Sequence, residues 1–454
     1  MSQPTLSKPV YRIGFYTGIA IVVANMVGTG VFTSLGYQVL GTTSGFALLM
    51  LWVVGGIIAL CGALCYGELA AALPRSGGEY HYLSRIYHPS VGFLSGWISA
   101  TVGFAAPTAL AAIALGRYTA SVWPGAHANL LSVAVVAGIT VVHLISGQVG
   151  SRFQVVVTVL KVGLLIFFIG AGLLAEAQPF SFAPTAEAGR QMLQPSFAVS
   201  LIYVSYAYSG WNAAVYMAGE VEQPQRRLPR ILLIGTSVVA LLYVLLNYVF
   251  LRTTLIGVLA GQVEIGFLSA NQIFGVAVGQ LMGLLVALLL VSTVSSMIFA
   301  GPRIVQTMGE DLPALRWLAR RSRRGLPVRA TLFQTLLTLV FIVSGTFEAV
   351  LVYAGFVLNL FTFLTVLGLF VLRWRQPELP RPYRTWGYPF TPLLFLALNA
   401  WTLVFLLRDQ TPESILGLGT VLIGLVIYAV ISALGASDKR AAGEGGKPVT
   451  GARP

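Results

Sequence analysis

Two short stretches that contain glycine interrupt long apolar runs of the sequence. The first stretch comprises Met26, Val27, Gly28, Thr29, Gly30, Val31 and Phe32. The second stretch comprises Tyr206, Ala207, Tyr208, Ser209, Gly210, Trp211 and Asn212. A helix that breaks at such a point leaves N–H groups at the start of one half and carbonyl groups at the end of the other half without helical partners. The free N–H groups suit a carboxylate, and the free carbonyl groups suit an ammonium group.

Both stretches also allow a plainer interpretation, because glycine is common in membrane helices and lets them pack closely. However, Gly28 and Gly210 lie at the same depth, about 15 residues into the first and the sixth apolar run. Thr29 and Ser209 add polar groups at the two interruptions. This coincidence favours a binding site between two broken helices. An α-amino acid carries both of the charges that such a site would bind.

A charged residue, Lys161, lies inside the fifth apolar run and nine residues after Arg152. This spacing places it ~14 Å along a helix, near the middle of a ~30 Å hydrocarbon layer. A lysine side chain extends only a few ångströms towards the interface, so an interfacial anchor is the weaker alternative. A buried ammonium group can bond the exposed carbonyls of a broken helix and can replace a bound sodium ion. It could also lose and regain a proton, and the sequence leaves both roles open.

The composition requires lipid as the surrounding solvent. Of the 454 residues 56% are hydrophobic and only 9% are charged, whereas a soluble domain carries about 25% charged residues. These charged residues are too few to cover a water-facing surface, which excludes a soluble enzyme. The high apolar content also excludes a disordered chain.

Apolar runs between charged or Pro/Gly-rich segments predict an all-α multi-pass membrane protein with 12 transmembrane helices. The predicted helices cover residues 13–40, 46–72, 91–122, 129–146, 151–175, 195–219, 229–254, 272–300, 328–345, 347–372, 387–408 and 412–435. Because helices 1 and 6 share an interruption, we predict a repeat of five helices over residues 13–175 and a second over 195–372. Two peripheral helices within residues 387–435 follow the repeats.

Basic residues predict the orientation of the chain. Of the 28 Lys and Arg residues, 23 fall in alternate segments that include the N-terminus, and four fall in the segments between them. The positive-inside rule therefore places residues 1–12 and the tail, residues 436–454, in the cytoplasm. The tail is rich in Gly, Ala and charged residues and is predicted to be disordered. The net charge of +13 thus reflects loop anchoring rather than nucleic-acid binding.

Other polar residues within or beside the predicted helices suggest further contacts. Glu68 and Arg303, at the cytoplasmic ends of helices 2 and 8, could pair as part of an inner gate. Glu220 and Glu222 lie beside a cluster of arginines, which is typical of an interfacial charge network. His143 lies alone in an apolar run and is expected to be a packing residue.

The sequence offers little for metal binding or covalent catalysis. Cys61 and Cys65 are the two cysteines, and the four histidines form no cluster with metal-ligand spacing. We therefore expect no cofactor and no metal. A membrane enzyme would need a nucleophile near a base, and no intramembrane histidine is suggestively spaced from the serines at positions 292, 295 and 296.

The order and spacing of several motifs over residues 10–435 make the chain resemble the amino acid-polyamine-organocation (APC) superfamily, in particular its L-type amino-acid transporter branch. The motifs in the first half are Gly28-Thr29-Gly30, Ala63-Leu64-Cys65-Tyr66-Gly67-Glu68-Leu69 and Pro74-Arg75-Ser76-Gly77-Gly78-Glu79-Tyr80-His81-Tyr82. The second half adds Tyr206 to Asn212, Glu220 with Pro224, Leu228-Pro229 and Gly301-Pro302-Arg303.

The resemblance implies a core of ten helices in two inverted repeats, with helices 1 and 6 broken, and two peripheral helices. It implies that Thr29 and Gly30 donate to the substrate carboxylate. It also implies that the ammonium group lies near Asn212 and is bound by the carbonyl groups of Met26, Tyr206, Ala207 and Ser209. The ring of Tyr206 matches an aromatic gate over the substrate, although an aromatic ring packed between helices is the structural alternative.

Two further expectations follow from the resemblance. Lys161 matches the lysine that sodium-independent members place where relatives bind a sodium ion. Animal members of this branch carry a cysteine between helices 3 and 4 that joins a glycoprotein heavy chain, and the corresponding segment here, residues 123–127, contains none. A disulfide-linked heavy chain is therefore not expected.

The main hypothesis is a sodium-independent secondary transporter of neutral L-amino acids in the cell's inner (plasma) membrane, working by exchange or with proton coupling. Neutral substrates are favoured because no acidic side chain occurs in either glycine stretch. The alternatives are a carrier of another small amine or amino-acid-like zwitterion, a channel or transport-inactive sensor, and a multi-span enzyme.

Overall fold

We describe the protein from a computed structural model that covers residues 13–145, 151–311, 315–322 and 326–444. Within these ranges the regular secondary structure is helical, apart from one isolated β-bridge between Ile13 and Val221. Ten helices in them are long and apolar enough to cross a membrane. These observations confirm the predicted all-α multi-pass class.

The membrane helices are numbered as spans in chain order. Span 1 consists of span 1a, Phe15–Met26, and span 1b, Gly30–Thr33 with Leu35–Gly41; spans 2 to 5 are Gly45–Ala72, Pro89–Val122, Ala128–Ile145 and Ser151–Leu174. Span 6 consists of span 6a, Pro195–Tyr208, and span 6b, Ala213–Tyr216 followed by Ala218–Glu220. Spans 7 to 12 are Pro224–Thr253, Val276–Asp311, Val328–Ser344, Phe347–Arg375, Phe390–Asp409 and Thr411–Glu444.

Two of the twelve spans are not among the ten long helices. Span 6 is divided into short pieces, and span 9 has 17 residues. The helix boundaries follow local sequence signals. Spans 3, 6a and 7 each begin with proline, which suits the first turn because it has no N–H to lose. Ser44 and Thr346 cap spans 2 and 10 by accepting a hydrogen bond from a first-turn amide.

The packing of the spans repeats between the two halves of the chain. Span 1 packs on span 7 as span 6 packs on span 2, and span 3 packs on span 9 as span 8 packs on span 4. Span 5 packs on spans 7 and 8 as span 10 packs on spans 2 and 3. Each of these contacts recurs when both spans are replaced by their counterparts in the other half, which are five positions away in the chain. This recurrence supports the predicted five-helix repeats.

Several elements differ from the sequence prediction. Span 12 continues to Glu444, so residues 436–444 are helical rather than disordered; the rest of the predicted tail, 445–454, lies outside the described residues. The predicted N-terminal segment, residues 1–12, also lies outside them. A short helix over Gly78–Ile86, here called the loop helix, joins spans 2 and 3 and was not predicted. A second unpredicted helix, Ile265–Phe274, precedes span 8 and packs against it.

Candidate functional site: two facing helix breaks

Span 1 breaks within its predicted glycine stretch. Span 1a ends at Met26, residues 27–29 are bent, and the helix resumes at Gly30. Two hydrogen bonds stabilise the bend. The Gly28 amide donates to the carbonyl oxygen of Met26 over 2.8 Å, and the Val27 amide donates to the carbonyl oxygen of Val23 over 2.9 Å. The first amides of span 1b have no acceptor within their own helix. They form the free N–H end that was predicted to bind a carboxylate.

Span 6 breaks at the corresponding place. Span 6a ends at Tyr208, and the backbone then turns through Ser209 and Gly210 before span 6b starts at Ala213. The Ser209 amide donates to the carbonyl oxygen of Tyr206 over 3.0 Å. Among the described residues, neither the Ala207 nor the Ser209 carbonyl oxygen has a hydrogen-bond donor. Two of the carbonyl groups that were predicted to bind the ammonium group therefore have no hydrogen-bond donor among the described residues.

The glycines at the breaks have different structural roles. A Cβ atom on Gly30 would lie 2.4 Å from Cα of Ala207, so spans 1b and 6a touch through their backbones at this residue. Gly210 has a φ of +97°, and a Cβ atom there would lie 2.8 Å from the Asn25 backbone. A Cβ atom on Gly28 would have 3.9 Å to its nearest neighbour. The close-packing interpretation therefore holds for Gly30 but not for Gly28.

Two tyrosines from other parts of the chain reach the first break. The Tyr243 hydroxyl of span 7 donates to the Met26 carbonyl oxygen over 2.5 Å, so this carbonyl already has a partner. The Tyr206 hydroxyl lies 3.4 Å from the Thr29 hydroxyl oxygen, and both side chains are buried. Tyr206 therefore connects the two breaks, a position that is compatible both with an aromatic gate and with a packing role.

Asn212 contacts an acidic residue that the sequence prediction did not place at the site. Its Nδ2 atom donates to Oε1 of Glu79, on the loop helix, over 3.1 Å. The Tyr66 hydroxyl of span 2 donates to the same oxygen over 2.6 Å. Burial raises the pKa of Glu79 to about 7, although both hydrogen bonds act in the opposite direction. Neither glycine stretch contains an acidic residue, but the fold brings Glu79 of the loop helix next to the break in span 6.

Access to the breaks is asymmetric. Asn25 is exposed and Gly28 is half-buried, whereas Thr29 and Gly30 are buried. In span 6, Ala207 is buried but Ser209 and Gly210 are half-buried. The Ile13 amide of the chain entering span 1a bonds the carbonyl oxygen of Glu220 at the end of span 6b, so both halves lie at one end of the bundle. The half-buried residues Gly28, Ser209 and Gly210 thus adjoin spans 1a and 6b.

Lys161 is buried within span 5, with 6% of its surface exposed. Its Nζ atom donates to Oγ1 of Thr293 in span 8 over 2.8 Å. Among the described residues no carboxylate lies within 4.0 Å of it. The structure thus confirms the predicted burial of this cation, but its partner here is a hydroxyl group of span 8 rather than a carbonyl group of a broken helix.

The predicted pairing of Glu68 with Arg303 is wrong. Both carboxylate oxygens of Glu68 accept hydrogen bonds from Arg373 of span 10, at 2.9 Å and 2.7 Å, and the Thr385 amide adds a third bond of 2.6 Å. The guanidinium group of Arg303 instead lies 3.5 Å over the Phe299 ring. Glu68 lies on the side of span 2 that faces span 10, which the position of the residue in the sequence does not reveal. The predicted charge network is present, because Arg227 pairs with Glu222.

His143 is buried and has a hydrogen-bond partner, which agrees with the satisfied packing residue that the sequence predicted. Its Nε2 atom lies 3.0 Å from Oγ of Ser295 in span 8, so a serine and a histidine do meet within the membrane region. In the part of the chain that is described, no group of three or more His, Cys, Asp or Glu residues could hold a metal ion. Cys61 and Cys65 are both buried in span 2.

Sequence reasoning missed Tyr243, Tyr66 and Glu79 as residues of the site. Tyr243 lies in an apolar run without any distinguishing pattern. Glu79 does carry a signal, because Gly77 and Gly78 precede it in a motif that was identified without assigning a role to its acid.

Comparison with known proteins agrees with this geometry. The family model described as amino acid permease matches residues 13–433. The large neutral amino acids transporter small subunit 2 of Mus musculus is 28% identical over 429 residues, which cover 92% of this chain and 80% of that protein. The b(0,+)-type amino acid transporter 1 of Mus musculus is 27% identical over 428 residues, which cover 92% of this chain and 87% of that protein.

The human large neutral amino acids transporter small subunit 2 shows the same similarity, 28% identity over 430 residues. The similar proteins are transporters rather than enzymes, and each match extends over most of the chain. A multi-pass helical protein with two facing helix breaks, matched over residues 13–433, belongs to the amino acid permease family of the APC superfamily.

Proposed function

We propose that the protein is a sodium-independent secondary transporter of neutral L-amino acids in the plasma membrane, working by alternating access with exchange or proton coupling. The observation that carries this proposal is the contact between Gly30 and Ala207. It brings the free amide end of span 1b next to the free carbonyl end of span 6a. One zwitterion can therefore bind both ends, its carboxylate at Thr29 and Gly30 and its ammonium group at Ala207 and Ser209.

Lys161 supports independence from sodium. A buried ammonium group supplies a fixed positive charge between spans 5 and 8, where its hydrogen bond to Thr293 holds it. The charge of Lys161 would repel a sodium ion that bound beside it. We therefore expect transport to proceed without sodium.

Uptake into proteoliposomes tests the proposal. Labelled leucine should enter vesicles in choline buffer as fast as in sodium buffer, and unlabelled leucine inside should accelerate its entry. A strict requirement for sodium would contradict the role of Lys161. Entry that internal leucine does not accelerate would indicate a channel. A thermal-shift screen of amino acids in detergent should identify ligands, because a ligand at 100 times its Kd stabilises the fold by about 2.7 kcal/mol.

The Glu79 carboxyl group raises a second candidate substrate class. An acidic group hydrogen-bonded to Asn212 could act as the counter-ion of a cationic side chain if it were ionised. Inhibition of leucine uptake by cationic arginine and by neutral norleucine distinguishes cationic from neutral substrates. Inhibition by norleucine alone supports neutral substrates, and stronger inhibition by arginine contradicts that preference.

A membrane enzyme is the second candidate function, because Ser295 and His143 form a nucleophile and base pair at 3.0 Å. No carboxylate among the described residues pairs with His143, and no hydrogen bond in this part of the chain joins His143 or Ser295 to the two breaks. Ser295→Ala should therefore leave leucine uptake nearly unchanged. Product formation in detergent that this substitution abolishes would instead support catalysis.

We expect no disulfide-linked heavy chain. The name of one similar protein describes it as a small subunit, which implies a larger partner for that protein. Here both cysteines are buried in span 2, where an extracellular partner could not reach them. Non-reducing electrophoresis of the protein from its native membrane should show one band of the monomer's size.

A further inference from the structure

The segment before Glu79 lies directly on span 6b. The Gly219 amide donates to Oγ of Ser76 over 2.9 Å, and the Gly77 amide donates to the Tyr216 carbonyl oxygen over 3.3 Å. A Cβ atom on Gly78 would lie 2.6 Å from the Tyr216 ring, so the contact requires glycine at this position. We call residues 76–79 the docking segment. It joins the loop between spans 2 and 3 to span 6b, the second half of the broken helix.

Glu79 ends the docking segment in an unusual environment for an acid. Only 6% of its surface is exposed, and in the described part of the chain no basic side chain lies within 4.0 Å of its carboxyl group. Oε1 accepts its hydrogen bonds from Tyr66 and from Asn212, both of which are uncharged donors. A buried carboxylate without a cation costs far more free energy than a buried carboxylic acid.

The groups that face Glu79 from each neighbouring element are neutral near pH 7. They are Tyr66 of span 2, with Thr365 of span 10 behind it, Tyr82 of the loop helix, and Asn212 and Tyr216 of span 6. Arg75 and Arg85 act on His81 of the loop helix, whose pKa burial and these two arginines lower. Burial therefore acts on Glu79 without compensation by a charge, and its pKa is about 7.

We propose that Glu79 is a proton-binding site that couples protonation to the position of span 6b. The carboxyl group takes up a proton when the docking segment lies on span 6b and releases it when the segment separates and the group enters water. A hydrated glutamate has a pKa of about 4.3. The docked arrangement therefore binds more protons than the separated one between about pH 4.3 and about pH 7, and a fall in pH through this range favours docking.

This proposal rests on the proposed function in one respect, since it acts on transport only if the break in span 6 binds substrate. Asn212 then links the two events, because it lies at the break and donates to the protonated site. A protonated Glu79 is also no counter-ion for a cationic substrate, which agrees with a preference for neutral amino acids.

Infrared spectroscopy of the purified full-length protein tests the site without any transport assay. A carboxylic-acid C=O band should titrate with a midpoint near pH 7 and should be missing in Glu79→Gln. Tyr66→Phe should move the midpoint upward, because the ionised carboxylate loses a hydrogen-bond donor. The control is Glu348→Gln, since Glu348 also accepts a tyrosine hydrogen bond, from Tyr203 at 2.5 Å, but is only half-buried. A midpoint near pH 4.3 or a band that persists in Glu79→Gln would overturn the proposal.

Coupling to the helix break is tested through Trp211, whose ring lies 4.7 Å from that of Tyr66. Intrinsic fluorescence should change with pH around the same midpoint, and Trp211→Phe and Glu79→Gln should each remove the change. In proteoliposomes the protonated fraction changes about tenfold between about pH 6 and about pH 8, so uptake limited by this step should change up to about tenfold, and Glu79→Gln should flatten the profile. A titrating band without leucine binding would contradict the proposed function alone, whereas leucine uptake with a flat fluorescence profile would contradict the coupling alone.

Discussion

Gly28 and Gly30 are two residues apart, yet an added methyl group would meet different surroundings at each. At Gly30 the new Cβ would lie 2.4 Å from Ala207 Cα, and a backbone atom cannot move aside as a flexible side chain can. At Gly28 the nearest atom lies 3.9 Å away. The two positions therefore form a matched pair that separates close packing from other roles of glycine.

We expect Gly30→Ala to destabilise the protein by about 1–3 kcal/mol, the usual effect of overpacking, and to reduce leucine uptake. Gly28→Ala should change stability by less than about 1 kcal/mol. Thermal unfolding in detergent measures both variants. Equal stability of the two would show that spans 1b and 6a are not in backbone contact at Gly30.

Lys161 carries a charge that no carboxylate among the described residues compensates. We expect Lys161→Ala to reduce uptake by about tenfold or more, because the positive charge between spans 5 and 8 is lost. Thr293→Val, which removes only the hydrogen-bond partner of Nζ, should have a smaller effect. Initial rates in proteoliposomes, corrected for the amount of folded protein, provide the measurement. Unchanged uptake by Lys161→Ala would remove this residue from the mechanism.

At the scale of elements, Glu68 joins span 2 to span 10 and to the segment before span 11. Its side chain is fully buried, and Arg373 binds it with two parallel hydrogen bonds. Arg381 approaches the same carboxylate to 3.5 Å. Removal of one partner from such a pair leaves the other charge buried and unpaired.

Glu68→Gln should therefore destabilise the protein by about 3–5 kcal/mol. The control is Glu310→Gln, because Glu310 pairs with Arg321 at 3.1 Å on the surface, with both side chains about half exposed. An exposed pair contributes about 0–1 kcal/mol. Unfolding of the two variants in detergent, followed by circular dichroism, gives the comparison. A small effect of Glu68→Gln would show that the pair does not hold spans 2 and 10 together.

The starts and ends of the two broken helices are also joined. Ile13 donates its amide to Glu220 and accepts from the Glu222 amide, so the entry to span 1a and the exit of span 6b form one unit. The docking segment contacts span 6b beside this unit. Under the proposed alternating access, we expect the elements at this end to move together.

For the whole molecule, the distribution of the basic residues predicts that both chain ends lie in the cytoplasm. Cysteines introduced by Ser2→Cys and Arg453→Cys should stay unlabelled by an impermeant maleimide in intact cells and react in inverted vesicles. Gly125→Cys, in the exposed turn between spans 3 and 4, should react in intact cells. The reverse labelling pattern would show the opposite orientation, with Glu79 on the outer side of the membrane.

The linear sequence was sufficient to predict the membrane class and the position of both helix breaks. Apolar length defines a membrane span because the backbone must satisfy its own hydrogen bonds in lipid. The glycines reveal the breaks because they stand where a helix would otherwise continue. These properties depend only on residues that are close in the sequence, so the sequence pattern is sufficient to predict them.

Which distant groups meet depends on how the helices pack in three dimensions. Each residue turns a helix face by about 100°, so the direction in which Glu68 or Tyr243 points depends on how its span is rotated against its neighbours. Glu79 reaches Asn212 because a loop helix folds back onto span 6b, and His143 meets Ser295 because spans 4 and 8 pack together. The side-chain partners at the site thus follow from the packing of the whole bundle, which no local pattern of residues specifies.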